Sequence, residues 1–368
     1  MKIGTIKEIM EGEFRVGLDE SSVAELVSNG HEVYVEKGAG LNSGISDKDY
    51  KDAGATLVDT AKEVWDTVEL LVKVKEPLEP EYKYFRPSLT IFSFMHLSAH
   101  KDLTTSLMKN KTTAIAYETI ETDNKDLPCL KPMSAIAGKM SAIVGAEYLQ
   151  KTKGGSGALI SGLPGVPRAN AVIVGAGNVG VNALEMLVGL GANVTIVDVN
   201  LDKLTELEHV YRNKIETLYS NSKNLRKAIS NADLVIGAVS LPGASTPQLI
   251  RREYYKNMRK GSVIVDVAID QGGATEVSRP TSHENPTYYV DDILHYCVPN
   301  IPGAVPLTAT KALNNATIKY TKMIANMGIK KAVYTNKELR RGLNMLEGEI
   351  VYKAVADSLN LEYKELGE

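Results

Sequence analysis

The chain has 368 residues, 43% of them hydrophobic and 24% charged, which is typical of a globular protein with room for about two domains. Its net charge of −3, with acids and bases interspersed, gives no basic surface for nucleic acid or an anionic membrane. Cys129 and Cys297 are the two cysteines and imply no disulfide framework. The first residues open into a strand pattern and do not resemble a signal peptide, so we expect a cytoplasmic protein.

Short apolar runs alternate with helical stretches over the first 130 residues. They predict strands at Lys2–Ile6, Glu32–Glu36, Leu70–Val74, Leu89–Phe94 and Thr113–Ala116, and helices at Ser21–Ser28, Asp47–Asp52 and Lys101–Lys109. This alternation is typical of a parallel, doubly wound sheet. Ser134 is then predicted to cap a helix from Ala135 to about Lys151.

A glycine motif, residues 175–180, follows directly behind the apolar run Ala171–Val174. In a strand–turn–helix unit of this kind, Gly175 allows the tight turn and Gly177 lets the backbone approach a pyrophosphate. Gly180 lets the helix pack closely on the strand. The amides and the positive dipole end of the helix beginning near Asn178 favour phosphates. The motif therefore predicts a dinucleotide site; the alternative is a doubly wound fold whose glycine turn binds nothing.

A second apolar run ends in Asp198, 18 residues beyond Gly180. A carboxylate at this strand tip can accept the ribose hydroxyls of an adenosine, and it would repel a 2′-phosphate. The position of Asp198 therefore favours NAD over NADP.

The stretch Ala171–Val197 carries one charged residue, Glu185, and is long enough to span a bilayer. Its five glycines and three asparagines instead favour a buried strand–helix–strand unit, because parallel strands covered on both faces are continuous apolar runs. We expect no membrane segment here.

Further strands are predicted at Asp233–Ala238 and Ser262–Val267, followed by a loop, Pro299–Pro306, and two helical segments, Ala309–Met327 and Leu339–Leu359. The residues beyond 307 are too few for a third domain, so we expect them to pack on the first. The predicted fold is α/β, with two doubly wound Rossmann-like domains separated by a cleft. Residues 1–130 plus 308–368 would form a discontinuous catalytic domain, and 131–307 the nucleotide-binding domain.

Four chemically competent side chains lie just past predicted strand ends, where ligands bind in open α/β sheets. They are Arg15, Lys75, His96 and Asp270. Each has a plainer interpretation: a solvated loop arginine, a surface pair of Lys75 with Glu76, a core histidine, and a turn-capping aspartate. The spacing of His96 and His100 imitates a helical zinc pair, but no third ligand is evident and we expect no metal.

Taken together, the motifs resemble the alanine dehydrogenase family over nearly the whole chain. The resembling segments are residues 3–5, 13–16, 73–77, 96–97, 116–119, 132–134, 162–166, the glycine motif, 265–273 and 278–281.

The resemblance implies reversible, NAD-dependent oxidative deamination of L-alanine to pyruvate and ammonia by a homohexamer. It implies that Arg15 and Lys75 bind substrate and that His96 and Asp270 are catalytic. It also implies cofactor contacts from Ser134, Gly175, Gly177, Asn178, Val179, Gly180, Asp198, Lys203, Ser220, Val239, Ser240, Val267, Ala268, Ile269, Asp270, Arg279, Val298, Pro299, Asn300 and Ile301.

Three other functions remain open from the residues. The first is the NAD(H)-binding module of a proton-translocating transhydrogenase, which would have no small carboxylate to bind and no need of Arg15, Lys75 and His96 together. The second is a non-catalytic NAD-binding protein, which would be expected to lack some of the four chemical residues. The third is a dehydrogenase that forms a larger secondary amine, as in the saccharopine pathway.

Overall fold

A computed structural model describes residues 1–239 and 246–367. In them the strands are β1 (Lys2–Thr5), β2 (Glu32–Glu36), β3 (Thr56–Val58), β4 (Leu70–Val72), β5 (Thr90–Ser93), β6 (Thr113–Ala116), β7 (Asn170–Val174), β8 (Asn193–Asp198), β9 (Ile215–Tyr219), β10 (Leu234–Gly237), β11 (Val263–Asp266), β12 (Thr287–Val290), β13 (Ile293–Tyr296), β14 (Leu343–Leu346) and β15 (Glu349–Ile350). The helices are α1 (Glu20–Ser28), α2 (Asp47–Asp52), α3 (Ala61–Thr67), α4 (Lys101–Lys109), α5 (Lys131–Tyr148), α6 (Asn178–Gly189), α7 (Leu201–Tyr211), α8 (Ser222–Ser230), α9 (Pro306–Met327), α10 (Ile329–Thr335), α11 (Lys337–Gly342) and α12 (Lys353–Leu359).

The chain forms two compact units, Met1–Met133 with Gly303–Glu368, and Ser134–Pro302. The sequence had assigned 131–133 and 303–307 to the second domain, whereas the structure groups them with the first. The reason on the C-terminal side is α9, which is bonded to the first unit along its length. Thr310 accepts a hydrogen bond from the Val16 amide at 3.2 Å, and Asn314 accepts one from the Asp19 amide at 3.0 Å.

The first unit is built, in its described residues, on an eight-stranded sheet with the order β15-β14-β6-β5-β4-β1-β2-β3. Strands β1 to β6 are parallel, and β14 pairs antiparallel with β6. The strands β2 and β3 lie on one side of β1, whereas β4, β5 and β6, which come next along the chain, lie on its other side. This is the topological switch point at which doubly wound sheets open a crevice outside the carboxyl ends of their strands.

The core of the first unit lies under β4, β5 and β6, every residue of which is buried. Strands covered on both faces are expected to be largely apolar, and these strands are apolar except at Thr90, Ser93 and Thr113. Trp65 of α3 is fully buried and stacks on Tyr84 with ring centroids 5.6 Å apart. α3 begins with a capping box in which Thr60 and Glu63 satisfy each other's backbone amides.

The second unit repeats this arrangement with the sheet order β12-β13-β11-β10-β7-β8-β9. Strands β7 to β11 and β13 are parallel, and β12 closes the edge antiparallel to β13. Its switch point lies between β7 and β10, next to the glycine motif. The α/β fold with two doubly wound sheets is confirmed.

Two predictions are wrong, the start of α5 and the single helix at Leu339–Leu359. α5 begins at Lys131, so Ser134 lies inside the helix and does not cap it; Pro132 suits the first turn because its missing amide would be unpaired there. The segment Leu339–Leu359 is not one helix. It forms α11, a hairpin of β14 and β15, and α12, because Glu347 and Gly348 both adopt positive φ (50° and 84°) in a two-residue turn and β14 pairs with β6.

Among the described residues, no helix is both long and apolar enough to cross a membrane.

Candidate active site

Four candidate side chains follow neighbouring parallel strands at one edge of the first sheet. Arg15 lies in the segment after β1, Lys75 after β4, His96 after β5, and Glu118 after β6. Because β1, β4, β5 and β6 are adjacent and parallel, their carboxyl ends meet at the same edge, beside the switch point. The three residues that the sequence selected in this unit thus follow strands that are neighbours in the sheet, and so does Glu118.

Arg15 is buried, with 3% of its surface exposed, so the interpretation as a solvated loop residue is wrong. Glu13 binds it in a bidentate manner: Nε donates to Oε1 at 2.7 Å, and NH2 donates to Oε2 at 2.5 Å. NH1 also lies 2.9 Å from the Met133 sulfur. Such a fork–fork pair holds the planar guanidinium in one orientation. The guanidinium of Arg15 is therefore held in a fixed orientation by Glu13.

Lys75 is half-buried, and its backbone is held by Glu8. Glu8 Oε1 accepts hydrogen bonds from the amides of Val74 at 2.6 Å and Lys75 at 3.4 Å. The expected alternative, a surface pair of Lys75 with Glu76, does not fit, because Glu76 is buried with its carboxylate 3.5 Å from His100 Nε2.

Beneath Lys75 lies a buried ion triplet of Glu8, Lys73 and Glu81. Lys73 is completely buried, and its ammonium lies 3.1 Å from Glu8 and 2.9 Å from Glu81. Burial opposes the charged form of Lys73, but the two carboxylates outweigh it and raise the pKa of Lys73. Burial also raises the pKa of Glu8, and the nearby Lys73 ammonium offsets part of this effect.

His96 adopts a left-handed backbone conformation (φ 46°, ψ 37°), and its side chain is 43% exposed, so it is not a core histidine. Glu118 accepts hydrogen bonds from the backbone amides of Met95 at 3.2 Å and His96 at 2.7 Å. It also lies 3.9 Å from His96 Nδ1. The rings of His96 and Phe94 are nearly parallel, 7° apart, with centroids separated by 6.1 Å. The imidazole is thus oriented and accessible to a ligand.

His96 and His100 lie beside different carboxylates. His96 lies beside Glu118 and His100 beside Glu76. Over residues 1–239 and 246–367, no three His, Cys, Asp or Glu side chains lie close enough to hold a metal ion.

The glycine motif of the second unit has the geometry that a dinucleotide requires. Gly175 has φ of 106°, and a Cβ there would lie 2.7 Å from the Ala238 carbonyl oxygen. A Cβ on Gly180 would lie 1.9 Å from the Gly175 carbonyl oxygen, so only glycine fits. Gly177 is exposed, and a Cβ there would meet no protein atom within 4 Å. That open space, at the N-terminus of α6, is where a pyrophosphate can approach the backbone.

Asp198 ends β8 and reaches back to the glycine turn. Its carboxylate accepts hydrogen bonds from the amides of Ala176 at 2.5 Å and Asn200 at 2.8 Å. It is half-buried and can still accept bonds from a ribose, since a carboxylate has about four lone-pair sites.

Most other predicted cofactor residues lie at the carboxyl edge of the second sheet. They follow β9 (Ser220), β10 (Val239), β11 (Val267, Ala268, Ile269, Asp270) and β13 (Val298, Pro299, Asn300, Ile301), beside Asn178 and Val179 of α6. Three others lie off strand ends: Ser134 in α5, Lys203 in the first turn of α7, and Arg279, whose guanidinium is 4.3 Å from the Tyr288 ring centroid. Ser240 lies outside the described residues.

Asp270 is exposed in a 3₁₀ turn, Ile269–Gln271, that follows β11. The turn is anchored by Asp266, a fully buried carboxylate that accepts hydrogen bonds from the Ala268 amide at 3.1 Å, the Ala274 amide at 2.8 Å and the Ser278 hydroxyl. Burial raises the pKa of Asp266, and these hydrogen bonds partly offset it.

The sequence reasoning assigned no role to Glu8, Glu13, Glu118 or Asp266. A signal existed for two of them, since Glu8 and Glu118 follow β1 and β6 as closely as Lys75 and His96 follow their strands. For Asp266 the signal is an acid inside an otherwise apolar strand.

The chain is similar to known proteins over nearly its whole length. The model of the alanine dehydrogenase/PNT N-terminal domain matches residues 4–137, and that of the C-terminal domain matches residues 141–353. An alanine dehydrogenase of Staphylococcus haemolyticus is 50% identical over 364 residues, which is 99% of this chain and 97% of the relative. A solved L-alanine dehydrogenase is 49% identical, with a TM-score of 0.96 over 98% of this chain and 99% of its own. A transhydrogenase from Sinorhizobium meliloti is 22% identical with a TM-score of 0.84, covers 95% of this chain and 100% of its own, and shares the fold.

Proposed function

The chain belongs to the alanine dehydrogenase/PNT family, and from this we propose that it catalyses the reversible, NAD-dependent oxidative deamination of L-alanine to pyruvate and ammonia. The single observation that carries the proposal is the grouping of Arg15, Lys75 and His96 at one carboxyl edge of the first sheet. A buried guanidinium, an ammonium and an exposed imidazole are the groups that a small 2-amino or 2-oxo acid needs.

The second unit fits a nicotinamide dinucleotide. The space beside Gly177 admits the pyrophosphate, and Asp198 at the tip of β8 accepts the ribose hydroxyls. Because the Asp198 carboxylate would repel a 2′-phosphate, we propose NAD as the cofactor. When bound, this cofactor supplies the hydride transfer.

Arg15 binds the substrate carboxylate. Its guanidinium carries five donors in a rigid plane, and Glu13 holds that plane in one orientation. Such a clamp fixes the substrate α-carbon in one orientation, which a flexible lysine would do less well. Lys75 places its ammonium near the carbonyl oxygen of pyruvate and stabilises the negative charge that develops there.

His96 is the general acid and base. Once the α-carbon is oxidised to an iminium, water must add and ammonia must leave, and both steps move a proton near neutral pH. The imidazole takes a proton from the attacking water and returns one to the departing nitrogen. Asp270 accepts a hydrogen bond from the amine of the carbinolamine.

An assay of NADH formation at alkaline pH with L-alanine tests the proposal, with glycine, L-serine and L-lysine as competing substrates and NADP as the competing cofactor. We expect turnover with L-alanine and NAD that clearly exceeds every other combination. Preference for lysine with a 2-oxo acid would favour the larger-amine dehydrogenase, and hydride exchange between nucleotides without any amino acid would favour the transhydrogenase module.

The homohexamer that the family resemblance implies and the cytoplasmic location expected from the sequence stay predictions. Light scattering on the purified protein measures the first, and cell fractionation the second.

A further inference from the structure

Glu8 and Glu81 make matched contacts with the same buried lysine but with different backbone segments. Each places one carboxylate oxygen near the Lys73 ammonium, at 3.1 Å for Glu8 and 2.9 Å for Glu81. The second oxygen of Glu81 accepts the Leu78 amide at 2.8 Å. The second oxygen of Glu8 instead accepts the amides of Val74 and Lys75.

Glu8 connects two neighbouring segments of the first unit. Glu8 follows β1 in the segment that also carries Arg15, and Lys75 follows β4, the neighbouring strand across the switch point. The two segments also touch at Gly17, where a Cβ would lie 2.3 Å from the Val72 carbonyl oxygen. The segment bearing Arg15 is therefore packed against the end of β4 and hydrogen-bonded to the backbone of Lys75.

We propose that Glu8 is a positioning residue that fixes the backbone of Lys75, and hence its ammonium, relative to the segment that carries Arg15. Lys73 holds the Glu8 carboxylate in place, and Glu81 balances the charge of Lys73. The inference rests on the proposed function, because the consequence of a displaced Lys75 is measured as weaker use of pyruvate.

Two conservative variants separate the role of the Glu8 carboxylate as a hydrogen-bond acceptor from the role of its charge. Glu8→Gln removes the charge but keeps an oxygen that can accept the Val74 and Lys75 amides. Glu8→Asp keeps the charge but shortens the side chain by one methylene, which withdraws the acceptor from these amides. Glu81→Gln and Glu81→Asp perturb the same lysine without touching the Lys75 backbone, so they are the matched controls.

The experiment is reductive amination of pyruvate by the full-length protein, with kcat and KM for pyruvate and KM for NADH measured separately and thermal unfolding recorded for each variant. We expect Glu8→Asp to lower kcat/KM for pyruvate by about tenfold, since an ångström of misplacement of a substrate-binding group costs one to two orders of magnitude. Its KM for NADH stays at the wild-type value. For Glu8→Gln and both Glu81 variants, kcat/KM for pyruvate stays within about threefold of the wild-type value, even where the thermal unfolding midpoint falls.

Equal losses in Glu8→Asp and Glu81→Asp, or a larger loss in Glu8→Gln than in Glu8→Asp, would overturn the inference, because the triplet would then act through folding or through charge. A wild-type protein with no turnover at all instead contradicts the proposed function. The two failures are therefore distinguishable.

Discussion

The Glu118 carboxylate accepts the backbone amide of His96 at 2.7 Å and lies 3.9 Å from Nδ1 of the same residue. One side chain from the end of β6 therefore binds the main chain of the proposed acid–base residue and places a carboxylate near its ring. His96 needs such a support because its left-handed backbone conformation is unfavourable for an L-residue.

Glu118→Ala removes this support and is expected to lower kcat for alanine by about tenfold or more, because the imidazole loses its fixed orientation. Glu118→Gln keeps an acceptor for the amides of Met95 and His96, so its kcat should fall less. Steady-state kinetics measures both. Glu121→Ala is the control, since Glu121 pairs with Lys125 on the surface; an equal loss there would contradict a specific role for Glu118.

Arg15→Lys replaces a planar guanidinium that Glu13 holds in place with a single, more mobile ammonium. We expect kcat/KM for pyruvate to drop by about 100-fold, or about 3 kcal/mol of transition-state stabilisation, because bidentate recognition is lost. NADH affinity, followed by its fluorescence, should not change. A variant with unaltered pyruvate kinetics would show that Arg15 does not bind the substrate.

Gly177→Ala separates cofactor binding from folding. A methyl group there meets no protein atom within 4 Å, and φ at Gly177 is −70°, so the protein should fold normally. It would occupy the space proposed for the pyrophosphate and should weaken NADH binding by about tenfold or more. Gly189→Ala, also in open space but at the end of α6, is the control and should bind NADH as the wild type does.

Asp198→Asn keeps the acceptor for the Ala176 and Asn200 amides but removes the negative charge. The ratio of kcat/KM with NADP to that with NAD should rise by about tenfold, because a 2′-phosphate no longer meets a like charge. Asp202→Asn, an exposed change of the same charge in the first turn of α7, should leave the ratio unaltered. If Asp198→Asn also leaves it unaltered, the ribose assignment is wrong.

His295 is predicted to make the protein acid-sensitive. It is fully buried on β13 between Tyr288 and Tyr255, and neither ring nitrogen has a hydrogen-bond partner among the described residues. Burial lowers the pKa of His295 from 6.5 to about 4. The unfolded chain therefore binds this proton more readily, so stability falls as pH drops from 6.5 towards 4, by about 3 kcal/mol in total.

His295→Leu should remove this share of the acid sensitivity. Urea midpoints at pH 7, 5.5 and 4.5 measure it, with His209→Leu on the exposed end of α7 as the control. Parallel pH dependences for wild type and His295→Leu would contradict the prediction.

Much of the fold follows from local patterns. The strands Glu32–Glu36 and Thr113–Ala116 and the helices Asp47–Asp52 and Lys101–Lys109 have the predicted bounds, because each is an apolar run or an amphipathic stretch between turn residues. The pattern failed at Leu339–Leu359, where the pairing of β14 with β6 overrides helical spacing. The short strand β3, the edge strand β12 and its neighbour β13 lacked a pattern strong enough to predict.

The sequence by itself determined the glycine turn, the acid at the tip of β8 and the chemical identity of Arg15, Lys75 and His96. These depend on residue type and on spacing along one strand–turn–helix unit, which are local properties. Only the tertiary structure decided which strands are neighbours, and therefore that Glu118 holds the backbone of His96 and that Glu8 reaches the backbone of Val74 and Lys75. The Glu118–His96 contact joins residues 22 positions apart in the chain, and the Glu8–Val74 contact joins residues 66 positions apart. Such contacts form only when parallel strands place their carboxyl ends side by side.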